Sequence, residues 1–242
     1  LAAKEVIELL GWHRAGHGQE QRIEPPVWTS HEALLLDYEL PMIRDLGGGQ
    51  RWLSSTHWPW IGERTRQVDG AHVAMLAEVI NPVACKVGPG IDAAEIVALC
   101  DRLDPQYEPG ALTLVARMGA DLVADRLPPL VEAVCRSGHP VIWLCDPMHG
   151  NTIAAPDGRK ARLVEDVARE VREFRRAVAA GGGVAGGLHL ETCPEEVTEC
   201  VADAWALRET PRLSTSLCDP RLNPAQAISV VSAWSDTKQE AG

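Results

Sequence analysis

The chain has 242 residues, 45% of them hydrophobic and 24% charged, enough for one large α/β domain or two small ones, with a sizeable core. Its formal net charge of −11, from 34 acidic and 23 basic residues, argues against non-specific binding to nucleic acid or to anionic membranes. No long apolar run marks a transmembrane helix, and residues 1–16 lack the apolar stretch of a secretory signal. The seven cysteines are scattered without C-x-x-C spacing, which suits a reducing, cytoplasmic compartment.

In chain order, Val6–Trp12 predicts a short helix. Pro25-Pro26 excludes a regular strand at that point. Ser30–Asp45 predicts a helix with Ser30 as its N-cap. Short apolar runs then predict strands at Trp52–Ser55, Val83–Val87, Leu112–Ala116, Val141–Cys145, Gly187–Glu191 and Thr215–Cys218. Helical patterns are expected between them, at Thr65–Ile80, Ala93–Leu103, Leu122–Ser137, Ala161–Ala179 and Glu195–Leu207. Strand starts recur about every 30 residues, the length of a strand, a crossover helix and a turn. One wider gap precedes Gly187, where the glycine-rich tract 181–187 gives a flexible entry to the next strand. Strands rich in Val, Ile and Leu without polar alternation suit a parallel sheet buried on both faces. Turns are marked by Val87-Gly88-Pro89-Gly90, Glu108-Pro109-Gly110 and Ser137-Gly138-His139-Pro140. The expected class is α/β, of the (β/α) barrel type, with six units in view where a full barrel has eight.

In such folds reactive groups collect at the C-terminal ends of the strands. Each predicted strand carries charge there: Glu63-Arg64 after the first, Lys86 in the second, Arg117 after the third, Asp146 and His149 after the fourth, Glu191 ending the fifth, Asp219 after the sixth. One such residue is most often a solvated loop charge. Six in succession must be mutually paired or must serve a ligand, because isolated buried charges are costly. Arg64, Lys86 and Arg117 form a cationic group suited to phosphate or carboxylate. His149, Glu191 and Asp219, one imidazole and two carboxylates, form a set suited to a divalent transition metal. Side by side they suggest an anionic substrate held near a Lewis acid.

Other residues read more weakly. His57, His72 and His139 suit ordinary surface or core positions, the last two especially. His189 lies two residues before Glu191, hence on the same strand face, as a neighbour of the site or an inward-facing barrel residue. Glu63 and Asp69 could be helix N-terminal charges, although the position of Glu63 beside Arg64 favours a site role. Lys160 and Arg162 are either solvated or bind a second phosphate.

The strings SHEALLLDYE (30–39), WIGERTRQVDGAHV (60–73), NPVACKVGPG (81–90), LTLVARMGAD (112–121), VIWLCDPMHGNT (141–152), GGLHLE (186–191), VTEC (197–200) and CDPRLN (218–223) closely resemble class II 3-deoxy-D-arabino-heptulosonate 7-phosphate (DAHP) synthase. The resemblance runs from about residue 28 to about residue 235. It implies a (β/α)8 barrel that condenses phosphoenolpyruvate with erythrose 4-phosphate at the entry to aromatic biosynthesis. By the same resemblance Glu63, Arg64, Lys86 and Arg117 bind phosphoenolpyruvate. His149, Glu191 and Asp219 are three of four ligands to Mn²⁺, Co²⁺ or a similar ion. Lys160 lies near the sugar phosphate. Glu63, Lys86 and His149 are the implied catalytic members.

The family's first two strands bring a cysteine ligand in a GGDCAE-like motif, an arginine for phosphoenolpyruvate and a KPRS-like motif for the sugar phosphate. None of these strings occurs here. The expected division is therefore an extension unlike the family at 1–27 and a barrel domain lacking two strands at 28–242. Cys85, Cys145, Cys193 and Cys218 are not at the ligand's place, and Cys145 and Cys218 are expected to be structural. A six-stranded open sheet would expose its edges, so a homo-oligomer or a separate N-terminal partner chain is expected. The alternatives are a non-catalytic or partner-dependent binder of phosphoenolpyruvate and metal, or a synthase of specialised metabolism with another aldehyde acceptor.

Overall fold

The computed structural model describes residues 27–209, 213, 215–217 and 219–235. The helix expected at Val6–Trp12 lies outside them, as does Cys218. The runs Val83–Val87 and Leu112–Ala116 form the centre of the fold, and every residue of both is buried. Lys86 and Thr113 are the only strongly polar members of these runs.

In chain order the strands are β1 (Ser30–Glu32), β2 (Ile43–Gly47), β3 (Gln50–Leu53), β4 (Trp58–Ile61), β5 (Val83–Val87), β6 (Leu112–Ala116), β7 (Ile142–Cys145), β8 (Thr152–Ala154), β9 (Lys160–Leu163), β10 (Ala185–Leu188) and β11 (Cys200–Val201). Six of them make one sheet in the order β1-β4-β5-β6-β7-β10, parallel throughout. An isolated parallel bridge between Thr192 and Leu222 follows β10. Among the described residues no strand joins β10 back to β1, so the sheet is an open (β/α) arc.

The crossover helices follow from pattern and caps. Asp92 accepts hydrogen bonds from the Ala94 and Glu95 amides at 2.9 and 2.8 Å and starts the helix Ala93–Leu103. Its residues Ile96, Leu99, Cys100 and Leu103 recur at helical spacing and are buried. Gly138, in the left-handed region at φ 86°, ends Val123–Ser137. Val164–Ala180 buries Val167, Val171, Phe174, Ala177 and Val178, together with one charged residue, Glu170. The main core lies between these helices and the sheet. A second cluster joins Met148, Val167, Val171, Cys200, Leu222, Val230 and Ala233 near the helix Pro224–Ser235. Among the described residues no helix is long and apolar enough to cross a membrane.

Several expectations need correction. The run at Trp52–Ser55 is not a sheet strand: Gln50–Leu53 pairs antiparallel with Ile43–Gly47 in a hairpin. Its turn, Gly47-Gly48-Gly49, has positive φ at all three residues, which glycine alone adopts freely. The sheet strand of that unit is Trp58–Ile61, six residues further on. The helix expected at Ser30–Asp45 shrinks to Leu36–Glu39, because Ser30–Glu32 pairs with β4. The helix expected at Thr65–Ile80 divides into a 3-10 turn at Glu63–Thr65 and a helix at Ala71–Leu76. Lys160–Leu163 is a strand of a small sheet, ordered β11-β9-β8, so the following helix begins at Val164. Cys200–Val201 takes part of the stretch expected as the helix Glu195–Leu207, leaving a short helix at Ala206–Glu209. The fifth strand lies at Ala185–Leu188, earlier than Gly187–Glu191. Residues 215–217 are not a strand.

Candidate active site

The sheet's C-terminal edge opens onto a cavity of about 720 Å³. All eight site residues expected from the sequence line it: Glu63, Arg64, Lys86, Arg117, His149, Lys160, Glu191 and Asp219. Each sits in, at the end of, or just after a strand of the main or the small sheet, Asp219 alone following a stretch with no described strand.

Lys86 is the charged member of buried β5. Its Nζ lies 2.8 Å from Asp146 Oδ2 and 5.6 Å from the centre of the Trp60 ring. Arg64 and Arg117 also face the cavity, and among the described residues neither is ion-paired. Glu63 is held by Arg66, whose Nε lies 3.1 Å from Glu63 Oε1 and whose Nη1 reaches Glu95. Glu63 Oε2 is buried without a hydrogen-bond partner among the described residues. Gly88 is needed here, because a Cβ at that position would lie 3.0 Å from the Glu63 carboxyl and 3.2 Å from an Arg117 nitrogen.

His149 Nε2 lies 3.7 Å from Glu191 Oε1 and 3.8 Å from Asp219 Oδ2. One ligand atom from each of the three lies within 4.8 Å of the others. The outer oxygens are occupied: Glu191 Oε2 by Arg162 at 2.6 Å, Asp219 Oδ1 by Lys160 at 2.6 Å. The Lys160 bond, opposed by partial burial, holds the Asp219 carboxyl below its usual range. His149 Nδ1 lies 2.7 Å from Asp146 Oδ2, which as an ionised acceptor leaves the lone pair on Nε2. Three donor atoms thus face one point while their other atoms are tied back. That arrangement fits a divalent cation.

Asp146 joins the two groups. It is fully buried, and its Oδ1 also accepts from the Met148 and His149 amides at 3.1 and 3.2 Å. Burial disfavours its charge, but the His149 hydrogen bond and the Lys86 ammonium outweigh that and hold its carboxyl well below the usual range. His189 also lines the cavity and meets Trp60 edge-on, ring centres 5.0 Å apart. Burial first, then Lys86, lowers its pKa to about 4, so it is neutral at pH 7.

Two glycines let the Arg117 and His149 loops touch. A Cβ on Gly119 would lie 2.9 Å from the Gly150 carbonyl oxygen, and one on Gly150 only 2.3 Å from the Gly119 nitrogen. Glu170, reaching up from its helix, fastens the same loops. It accepts from the Met118 and Gly119 amides at 3.0 and 2.9 Å and from Asn151 Nδ2 at 2.7 Å. Burial, partly offset by the Gly119 amide, raises its pKa to about 8. A folded-state value above the unfolded one means stability that is present at low pH and lost as pH rises toward 8. Wild type should therefore lose on the order of 4 kcal/mol of stability relative to Glu170→Gln between pH 4.5 and pH 8. Parallel denaturant curves for the two proteins across that window would contradict the shift.

Several residues had no clear signal in the sequence. Glu32 and Trp60 line the cavity from β1 and β4, and Glu170 reads as an ordinary helix charge; Asp146 stands among the strand-end charges, but its tie to Lys86 has no local mark. Arg162 is neither solvated nor free to bind a phosphate: its side chain is fully buried and paired. His57 bonds Thr29, His72 bonds the Leu34 carbonyl, and His139 pairs with Asp101, all away from the cavity lining. Cys85, Cys145 and Cys193 are buried and absent from that lining; burial raises all three thiols above their usual range.

Residues 3–234 match the Class-II DAHP synthetase family, so the match takes in most of the segment set apart at 1–27. The chain is 61% identical over 233 residues to a probable phospho-2-dehydro-3-deoxyheptonate aldolase of Pseudomonas fluorescens, covering 96% of this chain and 58% of that protein. It is 43% identical over 232 residues to the phospho-2-dehydro-3-deoxyheptonate aldolase of Streptomyces coelicolor, covering 93% and 51%. The corresponding enzyme of Mycolicibacterium smegmatis is 45% identical over 211 residues, covering 84% and 45%. The chain spans about half the length of these curated relatives. With a family match over nearly its whole length and a cavity lined by every site residue that the resemblance implied, this chain belongs to the class-II DAHP synthetase family.

Proposed function

We propose that this chain supplies the donor-binding and metal-binding part of a DAHP synthase, which condenses phosphoenolpyruvate with erythrose 4-phosphate. The observation that carries the reading is one cavity holding Lys86 and two guanidinium groups with no ion-pair partner among the described residues, beside three convergent donor atoms. Arg64, Lys86 and Arg117 hold the phosphate and carboxylate of phosphoenolpyruvate, the arginines by paired N–H bonds and Lys86 as a point charge. The donor's C2–C3 π pair forms a bond from carbon 3 to the acceptor's aldehyde carbon, and the carbonyl π pair moves onto the aldehyde oxygen, which takes up a proton to become a hydroxyl. Water then adds at carbon 2, and the carbon–oxygen bond to phosphate breaks. Glu63, with one carboxylate oxygen free of partners, orients that water and takes up its proton. His149, Glu191 and Asp219 would hold a divalent ion, Mn²⁺ or Co²⁺, which would supply Lewis-acid polarisation of the acceptor's aldehyde. Lys160, beside Asp219, receives the sugar phosphate. Neutral His189 and the Trp60 ring, in edge contact with each other, wall the donor side.

The reading extends to assembly and location. Among the described residues β1 has one unpaired edge, which proteins cover, so the chain works as a homo-oligomer or with a further polypeptide. Six free cysteines among the described residues suit the cytoplasm. The test is phosphate release from phosphoenolpyruvate with Mn²⁺ and erythrose 4-phosphate. The chain is assayed alone, with its mass from light scattering, and with a polypeptide bearing the rest of a relative's length. Acceptor-dependent phosphate release under either condition supports the reading. Binding of phosphoenolpyruvate and Mn²⁺ without turnover in both would make the chain a binding homologue instead.

A further inference from the structure

Arg162 sits at the middle of the small sheet, paired through its backbone with Thr152 on one side and Cys200 on the other. Its guanidinium is fully buried and touches three segments at once. Nε donates to Thr152 Oγ1 at 3.0 Å, Nη1 to Glu191 Oε2 at 2.6 Å, and Nη1 also to the Pro220 carbonyl. These segments are the ones that carry the donor triad: Thr152 follows the His149 turn, Glu191 is itself in the triad, and Pro220 follows Asp219.

We propose that Arg162 is a positioning residue for the metal site, one that sets how Glu191 binds. The inference rests on the metal reading above. With Oε2 held by Arg162, Glu191 turns only Oε1 toward His149 Nε2, so it ligates through a single oxygen. A planar guanidinium is needed, because one ammonium cannot reach Thr152, Glu191 and Pro220 together.

The placement carries an electrostatic opposition that makes the role testable. A buried cation next to a cation site repels the metal, so its charge alone weakens binding, and removing it would tighten binding. Positioning acts the other way, and losing an outer contact to a ligand typically costs about 10- to 100-fold in metal affinity.

The experiment is calorimetric titration of the whole chain with Mn²⁺, together with the electron paramagnetic resonance spectrum of the bound ion and a thermal melt. Arg162→Lys and Arg162→Gln should each bind Mn²⁺ about 10- to 100-fold more weakly. Their spectra should be broadened, because Glu191 can then offer both oxygens. Thr152→Val, which removes the Nε acceptor and one long hydrogen bond, 3.3 Å, to the Met148 carbonyl, should bind several-fold more weakly with little change in melting temperature, and it decides the matter if the Arg162 variants fail to fold. Tighter binding in Arg162→Gln, or unchanged affinity and spectrum in Thr152→Val, overturns the inference. Failure of wild type to bind Mn²⁺ overturns the metal reading itself and this inference with it.

Discussion

Replacing His149 with alanine abolishes Mn²⁺ binding and leaves the chain folded. Its ring is the point on which the two free carboxylate oxygens converge, at 3.7 and 3.8 Å from Nε2. Without it two carboxylates face each other with no third donor. A lost ligand costs more than a lost outer contact, so the drop in affinity should exceed about 100-fold. The cost to folding is smaller. The side chain is 25% exposed, and removing it deprives Asp146 of one donor while Lys86 and two amides remain. Such a loss costs about 1–3 kcal/mol. Calorimetry gives the affinity and urea denaturation the stability; Mn²⁺ affinity equal to wild type would refute the ligand assignment.

Replacing Lys86 with methionine has the reverse balance, with the larger effect on folding. Lys86 and Asp146 are 8% and 0% exposed in their side chains. Breaking a buried pair by removing one partner leaves an uncompensated charge and costs about 3–5 kcal/mol. The lower end applies, because Asp146 keeps the His149 ring and two backbone amides. That is still a large part of a typical domain's 5–15 kcal/mol. Lys86→Met/Asp146→Asn should recover most of the stability, because the stranded charge is gone. Neither variant should bind phosphoenolpyruvate at wild-type affinity, since the point charge between Arg64 and Arg117 is absent. A Lys86→Met protein as stable as wild type would show that Asp146 does not depend on the ammonium.

The parts legible in the sequence were those whose determinants are local. β5 and β6 are buried on both faces, so their apolar runs stand out, and their bounds match the expected ones. The number of sheet strands, six, also matches, but only because two errors cancel. β1 is three residues long, and its Ser-His-Glu sequence has no apolar pattern; only pairing with β4 makes it a strand. β4 contains Pro59 between two tryptophans, which hides it behind the more strand-like residues of the hairpin. The sixth expected strand is not formed at 215–217.

The candidate site divides along the same line. Its cavity-lining charges were visible because strand ends mark them one by one. The ties that hold those charges in place were not visible, because the partners are distant in sequence. Asp146 meets Lys86 across 60 positions, Glu170 meets Met118 across 52, and Arg162 meets Glu191 across 29. Nothing in the local composition of Arg162 distinguishes a fully buried guanidinium from the solvated one that a surface strand would carry.

The single carboxylate that touches both Lys86 and His149 would make the proposed donor and metal sites one thermodynamic unit. An anion that drew the Lys86 ammonium away from Asp146 would leave that carboxylate more fully to the imidazole, and a better-held imidazole is a stronger ligand. On that reading the two occupants should favour each other, and linkage requires the factor to be the same whichever is added first. Cooperativity between a small anion and a cation in this fold needs no moving domain; a shared oxygen atom is enough.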